Sequence, residues 1–417
     1  MATRTLILIE GTRGNGPLYV QAAQRLGLYT ITLSADPAQY DYLAAGSFEA
    51  IRVDTGSLDA LIRECTRLCV TYDIAGITTA TESFYATVGK LCQHFALPGP
   101  NPASVERCCD KFVQRQLLAQ AGVPIPEFRL AVDAADAESS AVKIGLPVIL
   151  KPSVGIGSSG VRLCCNVDEV TEHMTYLLGG KHMWLSSQKQ RKWQSSPGIL
   201  VEAFAQGPHY IAEIMGNEVI GISAAGFGPP PHFVFRELTF PALLTEDENK
   251  RIAAVSLNCL RALDLGWGPT CIELRWTKLG PVVIEVNPRL AGAPDPQLVQ
   301  LAYGVDLISE HIKLVIGDEC NLSRRRSQTA AARMLVPDDD GTLDWIDGNR
   351  QAAAISGVAE VKLYVEPKTL IVRRGDYLDK LGHVIAASAC PARTEAILQR
   401  AVDSIRWSIT PFPTLGN

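Results

Sequence analysis

Apolar residues arrive along this chain in short blocks set between polar and helix-forming stretches. Residues 5–9, 29–33, 51–53 and 74–79 read as buried strands, and residues 17–26, 58–72 and 83–95 as the helices between them. This β-α-β-α alternation predicts a parallel, doubly wound sheet over residues 1–102. The run L-P-G-P-N-P at 97–102 marks a linker, and a single helix over 103–121 follows, broken by G-V-P-I-P at 122–126. A smaller unit is expected over 125–203, with strands at 146–151 and 199–204. A core unit over 204–322 is expected to hold strands at 210–213 and 218–225, a helix at 246–263, a hairpin at 270–287 and a helix at 297–316. From 323 to 417 the chain restarts with strands at 330–336, 358–364 and 384–389 and a last helix at 392–404, expected to pack on the core. No repeat of solenoid period is present.

Polar residues at strand ends carry the candidate chemistry. In P-V-V-I-E-V-N-P-R-L-A-G-A (281–293), four apolar residues lead into Glu285, Asn287 and Arg289 at alternate positions. In extended chain these side chains point to one face. Glu273 lies in the β-like run 270–276, and residues 278–280 supply a turn. A hairpin so built sets the Glu273 and Glu285 carboxylates side by side. Two carboxylates and a carboxamide are hard oxygen ligands suited to Mg²⁺; the bland alternative is a polar sheet face meeting water. Lys151 closes an apolar strand, where a charge is costly without a partner. The loop S-V-G-I-G-S-S-G (153–160) follows, with backbone amides free to surround phosphate oxygens. It is not a Walker A loop, because the lysine precedes it. Residues 179–198 are polar and basic, with Lys181, Lys189, Arg191 and Lys192, and read as a lid or a solvated loop.

The N-terminal unit offers weaker signals. The turn G-T-R-G-N-G (11–16) lacks the G-x-G-x-x-G spacing of dinucleotide sites and reads as room for something small to approach the strand ends. Glu82, after the fourth strand, is open to two readings: a partner for a substrate ammonium, or a first-turn helix carboxylate favoured by the dipole. Glu213 is a candidate to face the same site.

Composition narrows the class. The chain has 417 residues, 47% of them apolar and 20% charged, with a formal charge of -5 and a pI near 5.9. That balance makes no electrostatic case for nucleic acid, and no apolar run reaches the ~20 residues of a membrane helix. The opening M-A-T-R-T-L-I-L-I-E reads as a first buried strand and not a signal peptide, so a cytoplasmic protein is expected. The eleven cysteines are odd in number, lack a C-x-x-C and sit mostly in apolar company, so they are expected to be reduced thiols.

Taken together, Lys111, V-I-L-K-P ending at Lys151–Pro152, the glycine loop, L-V-E-A-F-A-Q-G-P, and I-E…I-E-V-N-P-R make the chain resemble the ATP-grasp superfamily of carboxylate–amine ligases over essentially its full length. Within it the chain is most similar to bacterial L-amino-acid ligases, which join two amino acids into a dipeptide. The resemblance implies an ATP-grasp fold of the α/β class. It has an N-terminal parallel-sheet domain, a small lid domain and a large antiparallel-sheet C-terminal domain. It implies that Lys111 and Lys151 hold the ATP phosphates under a loop that includes Gly157, Ser158, Ser159 and Gly160. Glu202, with Phe204 and Ala205, would meet the adenine and ribose. Glu273, Glu285 and Asn287 would hold two Mg²⁺ ions, for which Mn²⁺ can substitute. Arg289 would stabilise the acyl phosphate and the tetrahedral intermediate, with Lys151 beside it, while Glu82, Ser83, Glu213, Arg289 and Gly292 would meet the substrates. Many relatives have G-x-E after the hinge; here His209 takes the glutamate's place at the ribose. Residues 232–241 also depart from a histidine-containing pattern, which implies altered substrate selectivity. Partners would be amino acids and ATP, with no nucleic acid or membrane; a homodimer is compatible with the family. The rival readings are a ligase or carboxylase for a purine-type or biotin-like substrate, and a nucleotide-binding regulator without catalysis.

Overall fold

The structure, a computed structural model, describes residues 3–46, 48–155, 157–179 and 198–413. The expected lid at 179–198 therefore falls, from 180 to 197, outside the described residues.

The chain opens with β1 (Thr3–Ile9), α1 (Gly16–Arg25), β2 (Tyr29–Ser34), the short α2 (Asp41–Ala45), β3 (Glu49–Arg52), α3 (Leu58–Leu68), β4 (Tyr72–Thr78) and α4 (Tyr85–His94). The four strands form a parallel sheet in the order β3-β2-β1-β4, the doubly wound arrangement that the alternation predicts. The expected single helix over 103–121 is instead two, α5 (Pro102–Cys109) and α6 (Lys111–Gln120). Asp110 divides them: its backbone is extended, and its carboxylate accepts from the amides of Phe112 and Val113. An aspartate capping the next helix competes with continuation of the previous one. The break sets Lys111 on the first turn of α6.

The small unit runs β5 (Phe128–Ala131), α7 (Ala134–Ile144), β6 (Val148–Pro152), β7 (Arg162–Cys164), α8 (Val167–Leu178) and β8 (Ile199–Ala203). Its antiparallel sheet has the order β5-β8-β6-β7. Next come β9 (His209–Met215), β10 (Glu218–Phe227), β11 (Phe235–Phe240), α9 (Glu246–Leu263), β12 (Pro269–Thr277), β13 (Gly280–Asn287), α10 (Asp295–Tyr303) and α11 (Leu307–Val315). Helix α9 starts on a full capping box between Thr245 and Glu248. The expected helix over 297–316 is also split, at Gly304, whose φ of +72° only glycine adopts without strain.

The last stretch holds β14 (Thr329–Leu335), β15 (Gly341–Asp347), α12 (Asn349–Ala353), β16 (Val358–Leu363), β17 (Leu370–Ile371), β18 (Gly382–Ser388), α13 (Pro391–Asp403) and β19 (Arg406–Pro411). This last stretch has an apolar cluster of its own and packs on the core partly by joining its sheet. One antiparallel sheet runs β13-β12-β9-β10-β11-β14-β18-β16, so three strands from beyond residue 323 extend it through main-chain pairing. Strand β11, absent from the sequence reading, is the bridge.

A single apolar cluster ties the ends of the chain together. Leu6 and Tyr19 of the first unit, Leu298 and Ile312 of α10 and α11, and Met334 and Ile385 of the last stretch all belong to it. Fully burying one such side chain contributes about 1.5–3 kcal/mol, which fixes the N-terminal sheet against the core. All eleven cysteines are free thiols. No helix among the described residues is long and apolar enough to cross a membrane.

Candidate functional site

The β12–β13 hairpin pairs Glu273 with Glu285 and Cys271 with Asn287. Directly opposed residues of an antiparallel pair share a face, so both carboxylates and the carboxamide stand on one side of the sheet. Strand β9 continues that face with His209, opposite Arg275, and Glu213, opposite Cys271.

Each donor of this face meets a positive or polar neighbour. Lys111 Nζ lies 2.8 Å from Glu285 Oε1 and donates to the Gly155 carbonyl at 2.7 Å, while its amide donates to the Ser153 carbonyl. Burial alone would push the Lys111 ammonium down, but Glu285 and Glu82 outweigh it and hold it above its ordinary value. His209 Nε2 is 3.2 Å from Glu273 Oε2. Burial would raise Glu273; His209, Arg289 and Lys111 together hold it below the usual carboxylate range. The ring that was expected at the ribose is thus turned to a carboxylate of the hairpin, because β9 pairs directly with β12.

Strand β13 ends at Asn287, and the extension assumed for Arg289 does not continue through Pro288. The Arg289 amide instead turns back to the Asn287 carbonyl at 2.8 Å. The guanidinium still reaches the site: Nη2 donates to Asn287 Oδ1 at 3.4 Å, Nη1 to the Leu290 carbonyl at 3.0 Å, and Nε pairs with Glu82 Oε2 at 2.7 Å. Burial disfavours the Arg289 charge, yet Glu82 and its other anionic neighbours keep it firmly protonated. Glu82 does stand in the first turn of a short 3₁₀ helix (Glu82–Phe84), with Ser83 beside it, as the second of its two readings has it; its carboxylate is in addition engaged by an arginine of the core.

Glu202, expected at the nucleotide, is ion-paired with two cations. Its Oε1 accepts from Arg115 Nε at 2.6 Å and its Oε2 lies 2.6 Å from Lys151 Nζ, all three side chains being at most 5% exposed. Strands β6 and β8 pair Ile149 with Glu202, which puts Lys151 two residues away on the same face. Arg115 also donates to the Ile284 carbonyl, so it ties α6 to both sheets. One carboxylate stands between two cations. Glu202 therefore stays ionised below its usual range despite burial, whereas burial and the nearby Arg115 leave Lys151 below the ordinary lysine value even though it has a partner.

Phe204 and Ala205 follow β8 half-buried; the Phe204 ring stacks on Phe233, and Arg275 lies 5.4 Å from the centre of each ring. In the glycine loop Gly157, Ser158 and Gly160 all have positive φ, with Ser159 between them, so successive amides face different directions.

The Arg289–Asp295 loop is held from both sides. Glu213, fully buried, accepts from the Ala291 amide at 3.2 Å, and Asn15 donates to the Ala291 carbonyl at 3.0 Å. Gly292 is exposed, with open space where a Cβ would stand. What approaches the 11–16 turn is the chain itself: a Cβ on Gly11 or Gly16 would strike Tyr42, and one on Gly14 would touch Ala293. Behind the loop Asp295 accepts from Ser223 Oγ at 2.7 Å and is a buried neighbour of Glu213. Burial, with Asp295 as neighbour, raises the Glu213 carboxyl well above its usual range. Arg115, Asn15 and Asp295 carried no sequence signal, since each acts on a partner more than seventy residues away.

The donor set fits Mg²⁺ bridged to nucleotide phosphates: Glu273, Glu285 and Asn287 are oxygen donors on one face, beside Lys111. Among the described residues no three His, Cys, Asp or Glu side chains gather as a metal cluster. The third ligand here would be the Asn287 carboxamide, and Mg²⁺ takes its remaining oxygens from substrate phosphates and water.

Residues 144–296 match the ATP-grasp domain family, and residues 333–410 match the L-amino acid ligase C-terminal domain 2 family. A protein of Sinorhizobium fredii (strain NBRC 101917 / NGR234), uncharacterized protein y4rH, is 62% identical over 412 residues, or 99% of this chain and 84% of that one. Carnosine synthase 1 of Homo sapiens is 25% identical over 74% of this chain, which spans only 39% of that protein. Among solved structures, an L-amino acid ligase from Bacillus licheniformis superposes with a TM-score of 0.82 at 21% identity, covering 98% of this chain and 100% of that one.

Proposed function

Because the chain belongs to the ATP-grasp family and carries the C-terminal domain of L-amino acid ligases, we propose that it joins the carboxylate of one amino acid to the amine of a second. The products would be a dipeptide, ADP and phosphate. The observation that carries this reading is the convergence, on one sheet face, of the Glu273–Glu285 pair with Lys111, Asn287 and Arg289.

A carboxylate is a poor electrophile, and bound ATP supplies the phosphoryl group that turns it into an acyl phosphate. Phosphoryl transfer asks the protein mainly for positioning and charge neutralisation. Lys111 and Lys151 would meet the phosphates, their ammonium groups held by the half-buried Glu285 and the buried Glu202 carboxylates. Glu273, Glu285 and Asn287 would hold Mg²⁺, which neutralises charge on the phosphates when bound. Arg289, kept protonated by Glu82, would face the oxyanion that forms when the neutral amine attacks the acyl carbon. Glu213 and Asn15 fix the backbone of the neighbouring loop, and the openness at Gly292 leaves room for a substrate there.

The test is phosphate release from Mg·ATP across the twenty L-amino acids, singly and in pairs, with mass spectrometry of the positive mixtures. Release together with a condensed product supports the dipeptide reading and names both substrates. Turnover in no mixture refutes it for proteinogenic amino acids. ATP turnover that depends on bicarbonate or a nucleotide would point to the carboxylase-like alternative.

A further inference from the structure

The glycine loop is covered by a residue from the far end of the chain. Tyr377 lies on Gly157 so closely that a Cβ there would come within 2.1 Å of the ring, and the Tyr377 amide donates to the Gly157 carbonyl at 3.2 Å. The turn presenting this ring is built to keep its shape. The Asp379 carboxylate accepts from the amides of Arg374 and Gly375, and Asp376 accepts from the amide of Leu378. Both aspartates are buried. On one side Asp340 holds Arg373, and on the other Gly375 sits against His232, leaving no room for a side chain. Leu381 then joins the large sheet through the Leu335 carbonyl. The turn is thus anchored to the sheet, while the glycine loop it touches belongs to the small unit.

We propose that Tyr377 is a positioning residue for nucleotide binding. By covering Gly157 and bonding its carbonyl, it holds the loop at 157–160 in the shape that offers amides to phosphate. The C-terminal domain at 333–410 thereby takes part in the ATP site. This rests on assigning that loop to the phosphates. The physical reason is that a loop with three consecutive or near-consecutive positive-φ residues has little regular hydrogen bonding of its own. Ordering it before ATP arrives removes an entropy cost from binding. The ring also makes the absence of a side chain at Gly157 a requirement, since a Cβ there would displace it, and the positive φ of the residue separately favours glycine.

The experiment compares the full chain with Tyr377→Ala and Tyr377→Phe, reading hydrogen exchange at residues 157–161 and calorimetric affinity for Mg·ATP. Loss of one aromatic contact predicts about three- to tenfold faster exchange in the loop and about three- to tenfold weaker Mg·ATP binding for Tyr377→Ala. Thermal unfolding should be unchanged. Tyr377→Phe keeps the ring and the main-chain bond and should match the parent, which a merely bulky surface role for the hydroxyl would not produce. Gly157→Ala, intruding from the opposite side, should speed the same exchange. Parental exchange and affinity in Tyr377→Ala would overturn the proposal. A parent chain that fails to bind Mg·ATP would overturn the nucleotide assignment instead, while the exchange comparison would still decide whether Tyr377 holds the loop.

Discussion

Replacing Glu202 with glutamine removes the carboxylate that stands between two buried cations. Arg115 Nε and Lys151 Nζ are each 2.6 Å from its oxygens, and none of the three side chains is more than 5% exposed, so solvent screening is slight. Charge centres about 4 Å apart attract by ~4 kcal/mol at an effective dielectric constant of about 20, and the amide keeps part of the hydrogen bonding. Removing one partner of a buried charged pair costs ~3–5 kcal/mol in practice, and that loss is expected here. Lys151 would also lose the group that supports its charge while keeping the nearby Arg115, so its ammonium should deprotonate more readily. Adding Arg115→Met to Glu202→Gln removes the like-charge contact and should recover ~1–3 kcal/mol of the loss, as coupled neighbours do. Urea unfolding of the full chain, with hydrogen exchange in β6 and β8 as the local readout, checks both expectations. Stability within ~1 kcal/mol of the parent, combined with weakened ATP binding, would refute the structural role and return Glu202 to the nucleotide pocket.

Glu285→Ala should abolish ATP turnover while the circular dichroism spectrum persists, because the residue pairs with Lys111 but is not in an apolar cluster; an unfolded variant or parental turnover would refute this. Arg289→Lys cannot reproduce contacts from three guanidinium nitrogens, so kcat should fall on the order of 10²-fold, with amino-acid KM much less affected; near-parental kcat would sink the oxyanion role. The Glu213 carboxyl is raised in the folded chain, so the folded state binds its proton more tightly than the unfolded one. That stability is complete below the unfolded pKa and is lost as pH rises through the folded one. Tm should therefore decline above the usual carboxylate range more steeply in the parent than in Glu213→Gln, and equal slopes in a thermal series would count against the raised Glu213 carboxyl.

Much of the site was legible because its signals are local. Strand periodicity alone sets Glu285 and Asn287 on one face, and the turn at 278–280 brings Glu273 opposite, as the register shows. The parallel N-terminal sheet was equally readable, since alternating strands and helices leave few other ways to bury their faces. The helix breaks at Asp110 and Gly304 were local too, but helix periodicity on either side masked them.

The sequence by itself determined which residue types stand at strand ends and in what order: the lysines, the glycine loop, the acidic hairpin and Arg289. Tertiary structure decided their partners. Arg289 meets Glu82 across 207 positions, Arg115 meets Glu202 across 87, and Asn15 meets Ala291 across 276. It also decided that strands beyond residue 323 complete the core sheet and that Tyr377 covers Gly157. Periodicity reports which face a residue occupies, whereas an ion pair depends on where two distant faces dock. That docking is set by the summed burial of the apolar clusters, to which no single charged residue contributes a readable pattern.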